Sequence, residues 1–391
     1  MERQIYLDNA ATTKMRPESM AEYIRVSENE WGNPSSLHSF GNDAERILTA
    51  SKKTILYTLG AKDAELVFTS SGTEANNLAI LGHALSKDRY KNGAKIITTL
   101  GEHASVSSPV NELKRRGYKI AAISTKNGEI DMDELMRELS SDVILVSVMM
   151  VNNETGAVYN IPAVKKAIKA KCPNALFHVD ATQGYMKIPF TVAGIGADLI
   201  TVSSHKIEGP KGVGALIIDK DVIKKRDLAP VIFGGGQGLG LRSGTENVPA
   251  IAAFAEAARL AHSELSESIA KMNSLRDMLI NKISEDERLS EISMTLPKHH
   301  APHILNLTLP SIKSETMLHY LSSEGIYVSS GSACSSNSSH LSSALTAYGR
   351  SEEEADCSIR VSFSHSNTEN DVSALTEALA KGLSRLVRIR R

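Results

Sequence analysis

Three absences bound this 391-residue chain before any motif is considered. Cysteine is scarce. Cys172, Cys334 and Cys357 are widely spaced and odd in number, and no CxxC occurs. That pattern argues against a disulfide framework or a zinc site and for a reducing cytoplasm. Long apolar runs are missing. The longest, VILVSVMMV at Val143–Val151, falls far short of the ~20 residues a membrane helix needs. The opening MERQIYLDNAATT has no apolar run of signal-peptide type. An excess of charge is missing too, since 44 Lys and Arg stand against 45 Asp and Glu. Nothing in that balance draws in nucleic acid or an acidic membrane, and the basic ending RLVRIRR is what a helix C-terminus favours.

Two nucleotide signatures are also absent. No GxxxxGK[ST] occurs, and GGGQGLG at Gly234–Gly240 fails GxGxxG and does not open a helix after a strand. What is present is alternation. LVFT (66–69), KIITT (95–99), KIAAIS (119–124), VILVSVMMV, LFHVD (176–180), LITVS (199–203) and GALIID (214–219) read as strands. TEANNLAILGHAL, SVSSPVNELKRRG, DMDELMREL and PAVKKAIKAKC read as the helices between them. This implies an α/β unit with a mostly parallel sheet covered on both faces, which binds ligands at the carboxyl ends of its strands.

The length suits two domains. The alanine-rich run after Asn247 predicts one long helix acting as a lever between them. Beyond it, ILNLTL, SETMLHYLSSEG, IYVSSG, CSIRVSFS and a closing helix from Asn370 read as a smaller α+β unit. The expected partition is a large domain over 15–255 and a small one from 1–14 and 256–391. The small polar residues of Ser329 to Ala344 predict a mobile loop around Cys334.

The chemistry starts at Ser70-Ser71-Gly72-Thr73-Glu74, between the strand LVFT and a helix. Free backbone N–H groups and hydroxyls there make either an anion cradle or an ordinary N-cap. His178-Val179-Asp180 ends one strand and His205-Lys206 ends another, so both project at one sheet edge if the strands are neighbours. A lysine can form an imine with an aldehyde, and an aspartate can hold a pyridine nitrogen protonated. Singly these residues could be a strand-end cap and a snorkelling surface cation. Jointly, beside a phosphate cradle, they point to pyridoxal 5′-phosphate. Lys206 follows the apolar strand directly, where desolvation should lower its pKa, whereas Lys211 lies in the turn GPKGVG.

The motifs YLDNAATT, GNPSSLHSFG, VFTSSGTEANNLAI, GEHASV, VNNETG, HVDATQ, SSHKIEGPKGVGAL, GGGQ–LRSGTEN, VSSGSACSS and SIRVSFS run in order almost end to end. In them the chain resembles the NifS/IscS-type cysteine desulfurases, class-V members of the fold-type-I pyridoxal-phosphate transferases. The resemblance implies a homodimer that takes sulfur from L-cysteine, leaves L-alanine, and passes the sulfur as a persulfide to an acceptor protein, a scaffold or carrier. It makes Lys206 the imine-forming lysine and Asp180 the partner of the pyridine nitrogen. His103 would stack on the ring and shuttle protons. Asn153 and Gln183 would hydrogen-bond the substrate side or the ring hydroxyl. Thr73, Ser203 and His205 would take the phosphate with the backbone of Gly72, and Thr245 would reach the phosphate in the partner subunit. Arg360 and Asn33 would clamp the substrate carboxylate, Arg360 by two parallel hydrogen bonds. Cys334 would carry the sulfur, while Cys172 and Cys357 read as structural. No metal is implied.

Three departures from that pattern stand out: Gly238-Leu239 in place of a charged pair, Glu208 in place of an aromatic, and no extended tail after the last helix. The first bears on subunit contacts and the second on the surroundings of the cofactor, while the third leaves the sulfur acceptor open among iron–sulfur cluster assembly, tRNA thiolation and thio-cofactors. The alternative readings are a selenocysteine lyase or another class-V aminotransferase, and a non-catalytic subunit that binds sulfur-transfer partners. The presence of lysine, aspartate, cradle and thiol together speaks against the last.

Overall fold

The computed structural model describes residues 4–87, 90, 93–330 and 342–388. Its centre is a seven-stranded sheet in the order Ala64–Thr69, Gly214–Asp219, Leu199–Ser203, Leu176–Asp180, Val143–Met149, Lys95–Thr99, Lys119–Ile123. Six strands point the same way, and Gly214–Asp219 runs against both its neighbours. Every residue of Val143–Met149 is buried, as expected of a strand covered by helices on both faces. One consequence decides where chemistry happens. Asp180, Ser203 and the loops after Thr69, Thr99 and Met149 all open at the same edge of the sheet.

Two large apolar clusters hold the molecule together. The first surrounds the sheet and includes Phe177, Tyr185, Val202 and Phe254. The second gathers Ile5 and Leu7 with Met272, Leu279, Leu305, Leu307, Ile359, Phe363 and Leu379. It backs a four-stranded antiparallel sheet in the order Ser329–Ser330, Ser358–Ser362, Ile304–Thr308, Ser293–Thr295. The strand Ile5–Tyr6 pairs in parallel with Ile326–Tyr327, so the earliest described residues share a core with the last third of the chain.

The run after Asn247 is two helices, Val248–Ser263 and Leu265–Glu285, and not the single lever expected. The break falls at Glu264, whose backbone (φ −99°, ψ 4°) leaves the helix and whose carboxylate takes Arg16 at 3.1 Å. The physical reason lies in burial. The first helix packs Ile251 and Phe254 into one cluster and the second packs Met272, Leu275 and Leu279 into the other, so the apolar face must turn between them.

Candidate active site

At the carboxyl edge of the large sheet lies a cavity of about 380 Å³. Gly72, Thr73, His103, Asn153, Asp180, Gln183, Ser203, His205, Lys206 and Arg360 all line it, together with Asp8, Ser105, Glu154, Ser329 and Ser330. Ten residues singled out from the sequence therefore meet in one place.

One end of the cavity is shaped for an anion. Ser71 caps the helix Gly72–Ala84, its side chain accepting from the Glu74 backbone at 3.2 Å. The first N–H groups of such a helix have no intrahelical partner and its dipole favours negative charge. Beside them the hydroxyl of Ser203 is buried and makes no hydrogen bond to the protein. A buried hydroxyl left so is costly unless a ligand satisfies it. Gly72 keeps the space open, because a Cβ there would stand 3.1 Å from Thr182 Oγ1 and 3.4 Å from Ser203 Cβ. His205 Nδ1 meets Thr12 Oγ1 at 3.1 Å, and burial, with Lys206 and Lys211 nearby, holds its pKa down at about 4. These residues fit a phosphate group.

Lys206 closes the short turn Ser204–Lys206 that follows the strand Leu199–Ser203. Its Nζ donates to the carbonyls of Ala10 at 2.6 Å and Ala11 at 2.7 Å. Lys211 is exposed and does not line the cavity. On the adjacent strand, Asp180 accepts at Oδ2 from Asn76 Nδ2 at 2.8 Å and at Oδ1 from the Thr182 backbone at 2.9 Å. His178, two residues before it, is fully enclosed between Ser147 and Thr201, and burial lowers its pKa to about 4. Gln183 donates to Ala10 O at 2.8 Å and holds His303 Nε2 at 3.2 Å.

His103 caps the helix Ala104–Arg115, its Nδ1 accepting from the Ser105 N–H at 3.1 Å and lying 2.8 Å from Ser105 Oγ. Burial lowers its pKa; Asp180 opposes that effect, while Lys206 and Arg360 add to it. Its neighbour Glu102 is buried with Oε1 accepting from Thr99 Oγ1 at 2.7 Å and the Met149 N–H at 2.9 Å. Burial pushes that carboxyl up to about 8.

Arg360 sits mid-strand in Ser358–Ser362, opposite Asn306 and Ser329. Its Nη1 donates to Asn153 O and its Nη2 to Asp8 Oδ1, both at 2.8 Å. Glu154 carries a carboxyl raised by burial and accepts from Ser342 Oγ. Asp8, Ser105 and Glu154 were not singled out from the sequence, although Asp8 lies inside the quoted YLDNAATT and Glu154 inside VNNETG.

Two expected residues are placed elsewhere. Asn33 is exposed on the loop after Pro17–Asn29, its Oδ1 accepting from the Ser35 N–H at 2.9 Å. Thr245 lines a separate recess with Arg242 and Glu246. Cys334 lies outside the described residues, as does most of its serine-rich segment. Cys172 and Cys357 are both buried, and burial pushes their thiols up. Neither touches the cavity. Glu208, the departure noted after Lys206, adopts φ +66° and pairs with Arg16 at 2.9 Å and His365 at 2.9 Å. Its backbone N–H donates to Thr13 Oγ1 at 2.7 Å, which ties the lysine turn to the segment that seats the lysine amine.

A mostly parallel sheet presenting a strand-end lysine and aspartate to an anion cradle defines a pyridoxal-enzyme scaffold, and the comparisons with known proteins agree. Residues 5–375 match the aminotransferase class-V family. The chain is 41% identical over 368 residues to a NifS/IcsS protein homolog of Lactobacillus delbrueckii subsp. bulgaricus, covering 93% of each. It is 36% identical over 388 residues to the cysteine desulfurase IscS of Dictyoglomus turgidum, covering 99% of this chain and 96% of that one. A solved NifS-like protein superposes with a TM-score of 0.90 at 33% identity, over 98% of this chain and 100% of that chain. SspA in complex with cysteine does so at 0.79 and 29% identity, over 92% and 98%. The chain therefore belongs to the class-V aminotransferase family, among its NifS/IscS-type cysteine desulfurases.

Proposed function

We propose that the chain is a pyridoxal-phosphate-dependent cysteine desulfurase that converts L-cysteine to L-alanine and moves the sulfur onto Cys334. The observation that carries this reading is the convergence of Lys206, Asp180, the orphaned Ser203 hydroxyl and Arg360 on one cavity. When bound, pyridoxal 5′-phosphate supplies an electron sink that weakens bonds on an attached amino acid.

The chain's own residues do the rest. The start of the helix Gly72–Ala84, with Thr73, Ser203 and His205, holds the phosphate. Asp180, kept in place by Asn76 and Thr182, holds the ring nitrogen protonated. Lys206 would hold the aldehyde through its amine, and Gln183 and Asn153 would contact the ring hydroxyl or the substrate side. Arg360, steadied by Asp8, orients the substrate carboxylate. Neutral His103 takes and returns a proton. The Cys334 thiolate attacks the substrate sulfur, so the Cβ–S bond breaks as the new S–S bond forms, and the carbon skeleton leaves as alanine. The persulfide then passes to an acceptor protein. The working form is a homodimer in which Thr245 serves the partner's phosphate site. Residues 15–255 form the cofactor-binding domain, and 1–14 with 256–391 form the small domain.

Mass spectrometry of the holoenzyme after L-cysteine treatment tests the reading. The expected result is one added sulfur on the peptide containing Cys334, with alanine in solution. Cysteine left intact, or alanine formed with no sulfur on that peptide, rejects it.

A further inference from the structure

Along the cavity wall, four side chains form an unbroken line of hydrogen bonds from Asp180 to His103, with only Asn76 set behind the lining. Asp180 Oδ2 accepts from Asn76 Nδ2 at 2.8 Å, the same nitrogen donates to Ser105 Oγ at 2.8 Å, and Ser105 Oγ lies 2.8 Å from His103 Nδ1. Asn76 is 1% exposed and Ser105 7%, so solvent offers these groups almost no competing partner.

The direction of each bond follows from what each atom can do. A carboxylate only accepts, so Asn76 presents its NH₂ to Asp180. One amide hydrogen goes there and the other goes to Ser105. The Ser105 backbone N–H points at His103 Nδ1 at 3.1 Å, which makes that ring nitrogen an acceptor. The Ser105 hydroxyl oxygen already receives Asn76, so its hydrogen is available to the same Nδ1. A neutral imidazole whose Nδ1 accepts must carry its proton on Nε2. An amide does not hand protons along, so this line orients rather than conducts.

We propose that Asn76 and Ser105 are positioning residues that lock His103 into the Nε2–H tautomer and fix its ring relative to Asp180. The proton-carrying role of His103 rests on the desulfurase reading; the tautomer lock does not. The charged groups facing the ring are Asp180, Lys206 and Arg360. Changes at Ser105 leave their bonds to Asn76, Thr182, Ala10, Ala11, Asn153 and Asp8 untouched, so Ser105→Ala reports the lock itself, whereas Asn76→Ala also takes a partner from Asp180.

Nitrogen-15 spectra of protein labelled in its histidine rings, assigned with His103→Gln, read the protonation of each ring nitrogen directly. They are recorded on the full chain with and without pyridoxal 5′-phosphate and with no cysteine present. Wild-type His103 is expected to be a single Nε2–H tautomer. Ser105→Ala keeps the backbone N–H at Nδ1 but loses the hydroxyl, and Asn76→Ala frees that hydroxyl to turn away, so in both the Nε2–H preference weakens and the titration midpoint moves upward, because a donor aimed at Nδ1 opposes its protonation. Ser105→Thr keeps the hydroxyl and stays with wild type. A wild-type ring protonated at Nδ1, or an unchanged tautomer and midpoint in Ser105→Ala, overturns the proposal. If Asn76→Ala does not fold, the Ser105→Ala and Ser105→Thr pair decides alone. No substrate enters the measurement, so its outcome stands apart from the sulfur-transfer test on Cys334.

Discussion

The guanidinium of Arg360 meets the carboxylate of Asp8 at 2.8 Å, across 352 positions of sequence. Asp8 takes Nη2 and the Asn153 carbonyl takes Nη1, so the fork is held in a fixed plane at the cavity wall before any substrate arrives. Arg360→Lys keeps a charge but loses the fork. KM for cysteine is expected to rise about tenfold to a hundredfold, with a smaller change in kcat. Asp8→Ala, which only loosens the arginine, is expected to raise KM less. Steady-state kinetics on both variants check this, and equal KM values in Arg360→Lys and wild type reject the clamp.

Lys206→Ala removes the amine that would join the cofactor. Added pyridoxal 5′-phosphate should develop no protein-linked visible band that borohydride fixes to the chain, and turnover should fall by about 10³-fold or more. Lys206→Arg separates chemistry from structure. It restores a cation over the Ala10 and Ala11 carbonyls but cannot form the link, so it should be as inactive as the alanine variant and fold as wild type.

Cys334→Ala is expected to stop sulfide and alanine release from cysteine while leaving the cofactor's visible spectrum unchanged. Cys172→Ala and Cys357→Ala remove thiols buried away from the cavity and should keep persulfide formation. Alkylation followed by peptide mapping distinguishes the three. A Cys334→Ala enzyme that desulfurises at the wild-type rate ends the assignment.

Glu102 gives a pH signature. Its carboxyl is raised from 4.5 to about 8 by burial, so the folded state holds a proton that the unfolded chain has lost over that range. The stability it contributes is full below about 4.5 and is lost as pH rises towards 8. Glu102→Gln cannot lose a proton. Whatever its offset from wild type, its relative stability should improve steadily between those two pH values. Urea midpoints measured across the range check the slope; a constant difference means that Glu102 is not protonated in the folded protein.

The sheet was legible because its strands are buried on both faces and read as unbroken apolar runs, Val143–Met149 most plainly. Lys206 and Asp180 were legible because a charge at the end of such a run has few other uses. Arg360 was legible for its apolar neighbours Ile359 and Val361. The break at Glu264 was not, since alanine-rich sequence favours helix on both sides and the turn answers to Arg16 and to two separate cores. The Asn76–Asp180 bond spans 104 positions and leaves no local trace beyond one more asparagine in a helix. Asn33 and Thr245 were named by resemblance alone, and within a single chain neither lies on the cavity.

The seat of the lysine amine is the carbonyl pair of Ala10 and Ala11, and Ala10 is itself pinned by its N–H to Ser362 Oγ at 2.8 Å. These two anchors are made at opposite ends of synthesis. Until the strand Ser358–Ser362 has left the ribosome, the segment around Ala10 is tied to the large sheet by Gln183 and by the Glu208–Thr13 bond but lacks its Ser362 anchor. The resting place of the lysine amine therefore gains its full set of anchors only once nearly the whole polypeptide has been made.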